Sequence, residues 1–407
     1  MRFVPRQVFT VLFILFLLTA LAGGLLWANL NFVRKTPGGG NFFVLWQGTR
    51  DFIMHGSLPY GDMTSQIKDF VYGPAGTGEP LPRFSLPFYL IFFYIPFALV
   101  NDPPLARAIW MVFLQFALFR LIFWVFQLIR WKPAWLYLTA LVLFGVCWAP
   151  SVSALLSGST IIFQAMLLFG AIRALEFEAD EAAGALLALA WFNLEAMGLL
   201  IALVLFWVLT LRRWRVWGGF LMATFFLLGV SILFNISWPL PFLAAAVANW
   251  GAALYPSTFS MLETWLPGIG VRLAQGLTLA TALMLIMEWR AVRSKELRHL
   301  LWTLALTAAA TPLLGMPFSP VWSLLSLPAL LIVLSIMDQR WGTFGRWSAA
   351  LLFLVVFVGL WVALVLGNTS AFVFVLPILL IVLLYWVRWW AVRTPKLWVD
   401  VISDLGR

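Results

Sequence analysis

The stretch VFTVLFILFLLTALAGGLLWANL, residues 8–30, carries no charge, and the polar run NFVRKTPGGGNFFVLWQGTRDF begins directly after it at residue 31. About 20 apolar residues suffice for a helix to cross the hydrocarbon of a bilayer, so the first stretch predicts a membrane-spanning helix. Arg2 and Arg6 precede it as they would in a signal peptide. The run is too long for an ordinary signal core and has no clear cleavage site before Asn31, so it reads as a retained first span.

Outward from this point, apolar runs of similar length recur to Trp390. The 407 residues are 63% hydrophobic and 10% charged, with a mean hydropathy of +0.98. Soluble domains carry about 25% charged residues, so this chain lacks the polar surface to cover itself in water. Outer-membrane barrels show short alternating segments instead of long apolar runs. The expected fold is an all-α polytopic membrane protein.

Spans are predicted at 8–30, 85–101, 105–129, 134–150, 159–176, 183–211, 216–236, 271–289, 299–315, 319–337, 347–367 and 371–390, about twelve helices with both termini cytoplasmic. Cytoplasmic loops of inner-membrane proteins are enriched in Lys and Arg, and the net charge of +10 has its simplest cause there. Sixteen of the 26 basic residues, Arg107 among them, fall on the inner side of this topology, and Arg120 lies inside a span. Arg130 and Lys132 fall outside, against the rule. The 183–211 run is long for one span, about 44 Å as a single helix against about 30 Å of hydrocarbon. It is read as one span, with a break near Gly198 as the alternative.

The expected organisation is one membrane domain over 1–407, with non-cytoplasmic loops at 31–84 and 237–270. In the first loop, Phe42, Leu45, Trp46 and Ile53 recur at helical spacing, predicting an interfacial helix over residues 41–54 that lies on the membrane. Gly56, Pro59-Tyr60-Gly61 and Tyr72-Gly73-Pro74 are turn chemistry. Long loops rich in aromatics are more often functional than disordered.

Two histidines and the single Cys147 exclude a His/Cys metal site and a disulfide within the chain. A divalent cation held by Asp51, Asp62, Asp69 or Glu79 is not demanded by any spacing. No P-loop, G-x-S-x-G or H-E-x-x-H motif is present. No cofactor is expected.

The first loop gathers Arg50, Asp51, Asp62, Lys68, Asp69, Glu79 and Arg83 near a membrane surface, where a lipid-linked substrate presents its phosphate. Arginine matches phosphate oxygens through its planar fork of donors. A carboxylate is the base an acceptor hydroxyl needs. The same charges also serve simply to solvate an exposed loop. Glu195, within an apolar run, is either a functional intramembrane carboxylate or the partner of Arg120. The aromatic second loop fits an interfacial belt or a sugar-stacking surface.

Gly39-Gly40-Asn41-Phe42, Trp46, Gly48-Thr49-Arg50, Gly56, Pro59-Tyr60, Tyr72-Gly73, Gly78-Glu79, Arg83-Phe84 and Pro87-Phe88-Tyr89, after a first span, resemble the bacterial polyprenol-phosphate-mannose-dependent mannosyltransferases. These form family 87 of the glycosyltransferases and have the GT-C fold. Tyr255-Pro256 and Leu266-Pro267-Gly268 fit more loosely. The resemblance implies transfer of a mannose-like hexose from a polyprenyl-phosphate carrier to a glycan or glycolipid acceptor on the non-cytoplasmic side of the inner membrane. It implies membrane lipids but no nucleic acid as partners.

Arg50, Tyr60, Tyr72, Glu79, Arg83 and Glu195 are the expected substrate-binding residues. An acid in the first loop is the expected base, but the matching position holds Asn41. Gly158-Ser159 stands where a Gly-Gln pair is expected, and Asn193-Leu194-Glu195 where a Lys-Pro pair is. Either Asp51 or Asp62 replaces the base, or the chain is a catalytically silent relative that binds a lipid-linked glycan or a partner protein.

Overall fold

The computed structural model describes residues 6–73, 83–133, 135–251, 255–293 and 295–392, and every regular element among them is helical. In chain order α1 (Arg6–Lys35), α2 (Gly40–His55), α3 (Thr64–Tyr72) and α4 (Leu90–Ala98) lead into α5 (Pro103–Ile129). They are followed by α6 (Trp135–Cys147), α7 (Ala149–Ser157), α8 (Ile161–Glu176), α9 (Asp180–Ala190), α10 (Leu194–Thr210) and α11 (Trp214–Phe234). α12 (Pro239–Gly251), α13 (Thr258–Trp265), α14 (Gly270–Ala291), α15 (Leu297–Ala310), α16 (Leu327–Val365) and α17 (Leu376–Val392) are the remaining α-helices of the described residues.

Among the described residues, seven stretches are long and apolar enough to cross a membrane: Val8–Lys35, Pro103–Ile129, Trp214–Phe234, Gly270–Ala291, Pro320–Trp341, Thr343–Val365 and Ala371–Trp389. The pair Tyr137–Cys147 and Ala149–Ser157, bent by 45°, makes an eighth if it counts as one span. The chain is a multi-pass helical membrane protein, with fewer full-length crossings than the twelve expected.

The differences have a common cause. Hydropathy marks residues that avoid water and does not separate those facing lipid from those packed in the protein interior. The expected 85–101 span is the nine-residue α4, about 14 Å long and too short to cross. The 159–176 span is α8, whose sixteen residues are buried on most sides against protein. The 183–211 run is broken, with α9 ending at Ala190 and α10 starting at Leu194, so the single-span reading fails and the break lies upstream of Gly198. The 299–315 span is a fourteen-residue α15 followed by a 3-10 turn, Thr311–Leu314.

The chain forms two compact units interleaved in sequence. The first comprises residues 1–124, 150–198 and 213–254, and the second 125–149, 199–212 and 255–407. Within the first, α9 and α11 touch backbone to backbone at two glycines. A β-carbon at Gly184 would stand 2.1 Å from the Val216 carbonyl oxygen, and one at Gly219 would stand 2.3 Å from that of Glu181. Small residues at such crossings let dispersion and backbone contact replace the missing hydrophobic drive between helices in lipid. Ion pairs Arg213–Asp180 and Arg215–Glu181, the latter 2.7 Å, tie the N-terminal ends of the same two helices.

Within the second unit, α16 doubles back on itself. Residues eight apart in a straight helix are about 12 Å apart along the axis. Here a β-carbon at Gly345 would stand 2.1 Å from the Met337 carbonyl oxygen, and Arg346 Nε is 2.9 Å from Asp338 Oδ1. Trp131 Nε1 donates to the other Asp338 oxygen at 3.0 Å. The turn separates the crossings Pro320–Trp341 and Thr343–Val365. In the same unit Glu288 of α14 receives Arg388 at 2.8 Å and the Tyr385 hydroxyl at 3.0 Å, both from α17.

Candidate functional site

The polar loop after α1 is ordered over its described part, and α2 is its spine. The expected interfacial helix exists, but it does not lie on a surface: Phe42, Phe43, Val44, Leu45, Trp46, Gly48 and Thr49 are all buried. An aromatic cluster receives it. The Phe42 ring lies 6.2 Å from Trp110 and 6.4 Å from Tyr94, and Trp46 Nε1 donates to the Phe97 carbonyl at 3.0 Å. Burial of these seven residues explains why a pattern read as amphipathic packs against protein.

At the start of α2 three segments converge on one cation. Arg107, in the first turns of α5, is 2% exposed. Its Nη1 donates to the Thr36 carbonyl at 3.3 Å and its Nη2 to that of Leu156 at 2.9 Å, while Nε has no partner among the described residues. Among the described residues no carboxylate neutralises it. Gly38 and Gly39, both at positive φ, lie on the guanidinium, and a β-carbon at Gly39 would stand 2.5 Å from Nε. Gly158 repeats the device: a β-carbon there would stand 2.5 Å from Phe42 Cβ, and its carbonyl accepts from Trp110 Nε1 at 3.0 Å. Gly39 caps α2 without a side chain, so the first amides of the helix keep their donor capacity.

This geometry corrects the topology. Arg107, on the inner side of the expected arrangement, packs instead on residues 36–39, just after the C-terminal end of α1, which that arrangement places on the other side. Arg50 of α2 likewise reaches the Ala98 carbonyl at 3.3 Å and Asn101 Oδ1 at 3.1 Å, and Arg34 lies 3.9 Å from Asp102. Residues 98–107 therefore sit on the same face as the first loop, because α4 is too short to carry the chain across.

The expected site residues fall into separate places. Asn41 is half-buried in the first turn of α2, beside the Arg107 centre. Asp51 lies near the other end, about 15 Å along the axis. Its Oδ1 accepts from Gln47 Nε2 at 2.9 Å and lies 3.9 Å from His55 Nδ1. Arg50 lies over the Trp46 ring at 5.4 Å. Asp62 is exposed and Tyr72, the last residue of α3, half-exposed. Glu79 lies outside the described residues.

Tyr60 is buried, its hydroxyl donating to the Leu86 carbonyl at 3.3 Å, and burial pushes its phenol well above the ordinary value. The Arg83 side chain is exposed, but its backbone is clamped by Asn249: N–H donates to Oδ1 at 2.8 Å and Nδ2 donates to the carbonyl at 2.9 Å. Asn249, unremarked in the sequence, thus joins the first loop to α12, as does the Tyr60–Phe242 ring contact at 6.1 Å. Among the described residues no three of His, Cys, Asp or Glu cluster as a metal centre.

No family model, curated protein or solved structure matches this chain. The site therefore rests on its own geometry, which offers a sealed cation and free helix amides at one end of α2 and a hydrogen-bonded carboxylate at the other.

Glu195, in the first turn of α10, is half-buried and forms no ion pair among the described residues. Its alternative partner Arg120 lies instead over the rings of Trp124 and Phe123, at 4.6 and 5.7 Å.

Proposed function

We propose that this protein holds a polyprenyl-phosphate-linked sugar at the foot of its first loop, on the non-cytoplasmic face of the cell inner membrane, with both termini in the cytoplasm. The carrying observation is Arg107, a buried guanidinium without a carboxylate among the described residues, set against the uncapped start of α2. A cation sealed in low dielectric projects its field further than one in water, and helix-start amides add donors for an anion. The carrier phosphate would meet those amides, with Arg107 acting through its field and by fixing residues 36–39. The resemblance to the polyprenol-phosphate-mannose-dependent mannosyltransferases points to the same ligand.

Holding the carrier is better supported than transfer. Asn41, at the cationic end, cannot take up a proton usefully at neutral pH. The nearest hydrogen-bonded carboxylate on α2, Asp51, is about 15 Å away along the axis, more than the length of a hexose. Transfer, in a GT-C-like enzyme, is the second reading, favoured by the Asp51–Gln47–His55 arrangement. There the acceptor hydroxyl would give its proton to Asp51 as its oxygen bonds the anomeric carbon. The bond from that carbon to the carrier oxygen would break, leaving the electron pair on the lipid phosphate.

Binding of radiolabelled polyprenyl-phosphate hexose to the purified full chain tests the proposal. Arg107→Gln is expected to weaken it about tenfold, the scale of one charge-assisted contact. Equal binding by folded wild type and variant would sink the assignment of the site. With glycan or glycolipid acceptors added, transfer by wild type that is lost in Asp51→Asn would establish the enzyme reading. Transfer appearing only in Asn41→Asp would identify a silenced enzyme.

A further inference from the structure

We infer that the break between α9 and α10 is a binding site for a small monovalent cation of the size of sodium, with the Glu195 carboxylate and the Gln164 side-chain oxygen as ligands. The inference is independent of the lipid-phosphate reading and lies wholly within the first compact unit.

Three observations converge on the break. α9 stops at Ala190 in the middle of an apolar run, and the carbonyl of Ala190 accepts from Gln164 Nε2 of α8 at 3.1 Å. That bond fixes the Gln164 amide at the end of α9. Gln164 is fully buried, and its Oε1 has no donor among the described residues. A buried amide oxygen left without a partner is costly, and its presence in a native site calls for an occupant. Asn193 is engaged elsewhere, since its Oδ1 receives the Ala196 amide at 3.4 Å and caps α10.

Glu195 supplies the charge. It lies in the first turn of α10, half-buried, and no Lys or Arg among the described residues balances it. The basic residues of neighbouring elements are committed to other acids: Arg173 to Glu176, Arg213 to Asp180 and Arg215 to Glu181. A desolvated carboxylate needs a counter-charge. The unpaired groups here are oxygens, which suit a hard cation, and a single carboxylate suits one positive charge better than two. Membrane proteins place alkali cations at such breaks, where the interrupted backbone lends its carbonyls.

The test uses the purified full chain in detergent, with thermal unfolding followed in sodium chloride and in choline chloride at equal ionic strength. Sodium is expected to raise the midpoint by a few degrees in a saturable manner, as a ligand of the folded state must. Glu195→Gln, which keeps the side chain's shape, is expected to abolish that rise, as is Gln164→Met. If Gln164→Met does not fold, Glu195→Gln alone decides. Equal midpoints in sodium and choline would overturn the site, as would a sodium effect that survives Glu195→Gln. A midpoint that responds to pH and not to sodium would overturn it too, and would assign the break to a proton instead.

Discussion

Arg107 shows how much a single side chain can demand of its surroundings. Its guanidinium donates to two carbonyls and is covered by Gly38 and Gly39, so the space above it belongs to backbone alone. Gly39→Ala is expected to destabilise the protein by about 2–3 kcal/mol, combining steric overlap with a φ of 83° that L-residues avoid. A lowered thermal midpoint in detergent would record it, and an unchanged one would contradict the contact. Glu181 makes a smaller, pH-dependent contribution. Backbone and Arg215 hydrogen bonds hold its carboxyl below the usual range. A depressed folded value means that the stabilisation is present above the ordinary carboxylate value and is lost as pH falls from there through the lower folded one. Wild type should therefore lose more of its thermal midpoint than Arg215→Gln between neutral pH and a pH well below the ordinary carboxylate value of about 4. Parallel losses would show that the pair contributes nothing.

At the scale of elements, the glycine crossing of α9 and α11 is the most exacting contact in the first unit. Gly184→Val is expected to cost about 2–3 kcal/mol and to push the helices apart, whereas Gly218→Val, where a side chain meets open space, is expected to change little. Comparable unfolding midpoints for the two variants would refute the crossing. Helices such as α1, α11, α14 and α17 are legible in the sequence because each is a long run bounded by charge or turn residues. α4, α8, α9 and α10 are not legible as they stand, because their apolar residues face protein. One local signal for the break is present, since Asn193 is a good helix cap inside an otherwise apolar run. At the site, α2 and Asp51 are legible. Arg107 is not, because a basic residue just after Pro103-Pro104 looks like an ordinary loop charge, and only the fold brings residues 36–39 and 156–158 onto it.

For the whole molecule, the decisive consequence is topological. If residues 98–107 share a face with the first loop, single cysteines at Thr36 and Asp102, introduced with Cys147 replaced by Ala, should both react with an impermeant thiol reagent from the same side of sealed vesicles. Labelling from opposite sides would restore the 85–101 span and undo the Arg107 site. The two units also differ in what they hold. The first carries α2, the Arg107 centre and the α9–α10 break, and the second holds the doubled α16 and the Glu288–Arg388 pair.

The seal over Arg107 has a consequence for biogenesis. The two carbonyls that accept from its guanidinium lie 71 residues before it and 49 residues after it in the chain. At about 5–20 residues per second, the ribosome takes several seconds to deliver the second one. Through that interval the charge at the head of α5 cannot settle into its final place. Both bonds of the seal can form only once α7 has been synthesised, so this contact closes after the chain of α5 is made.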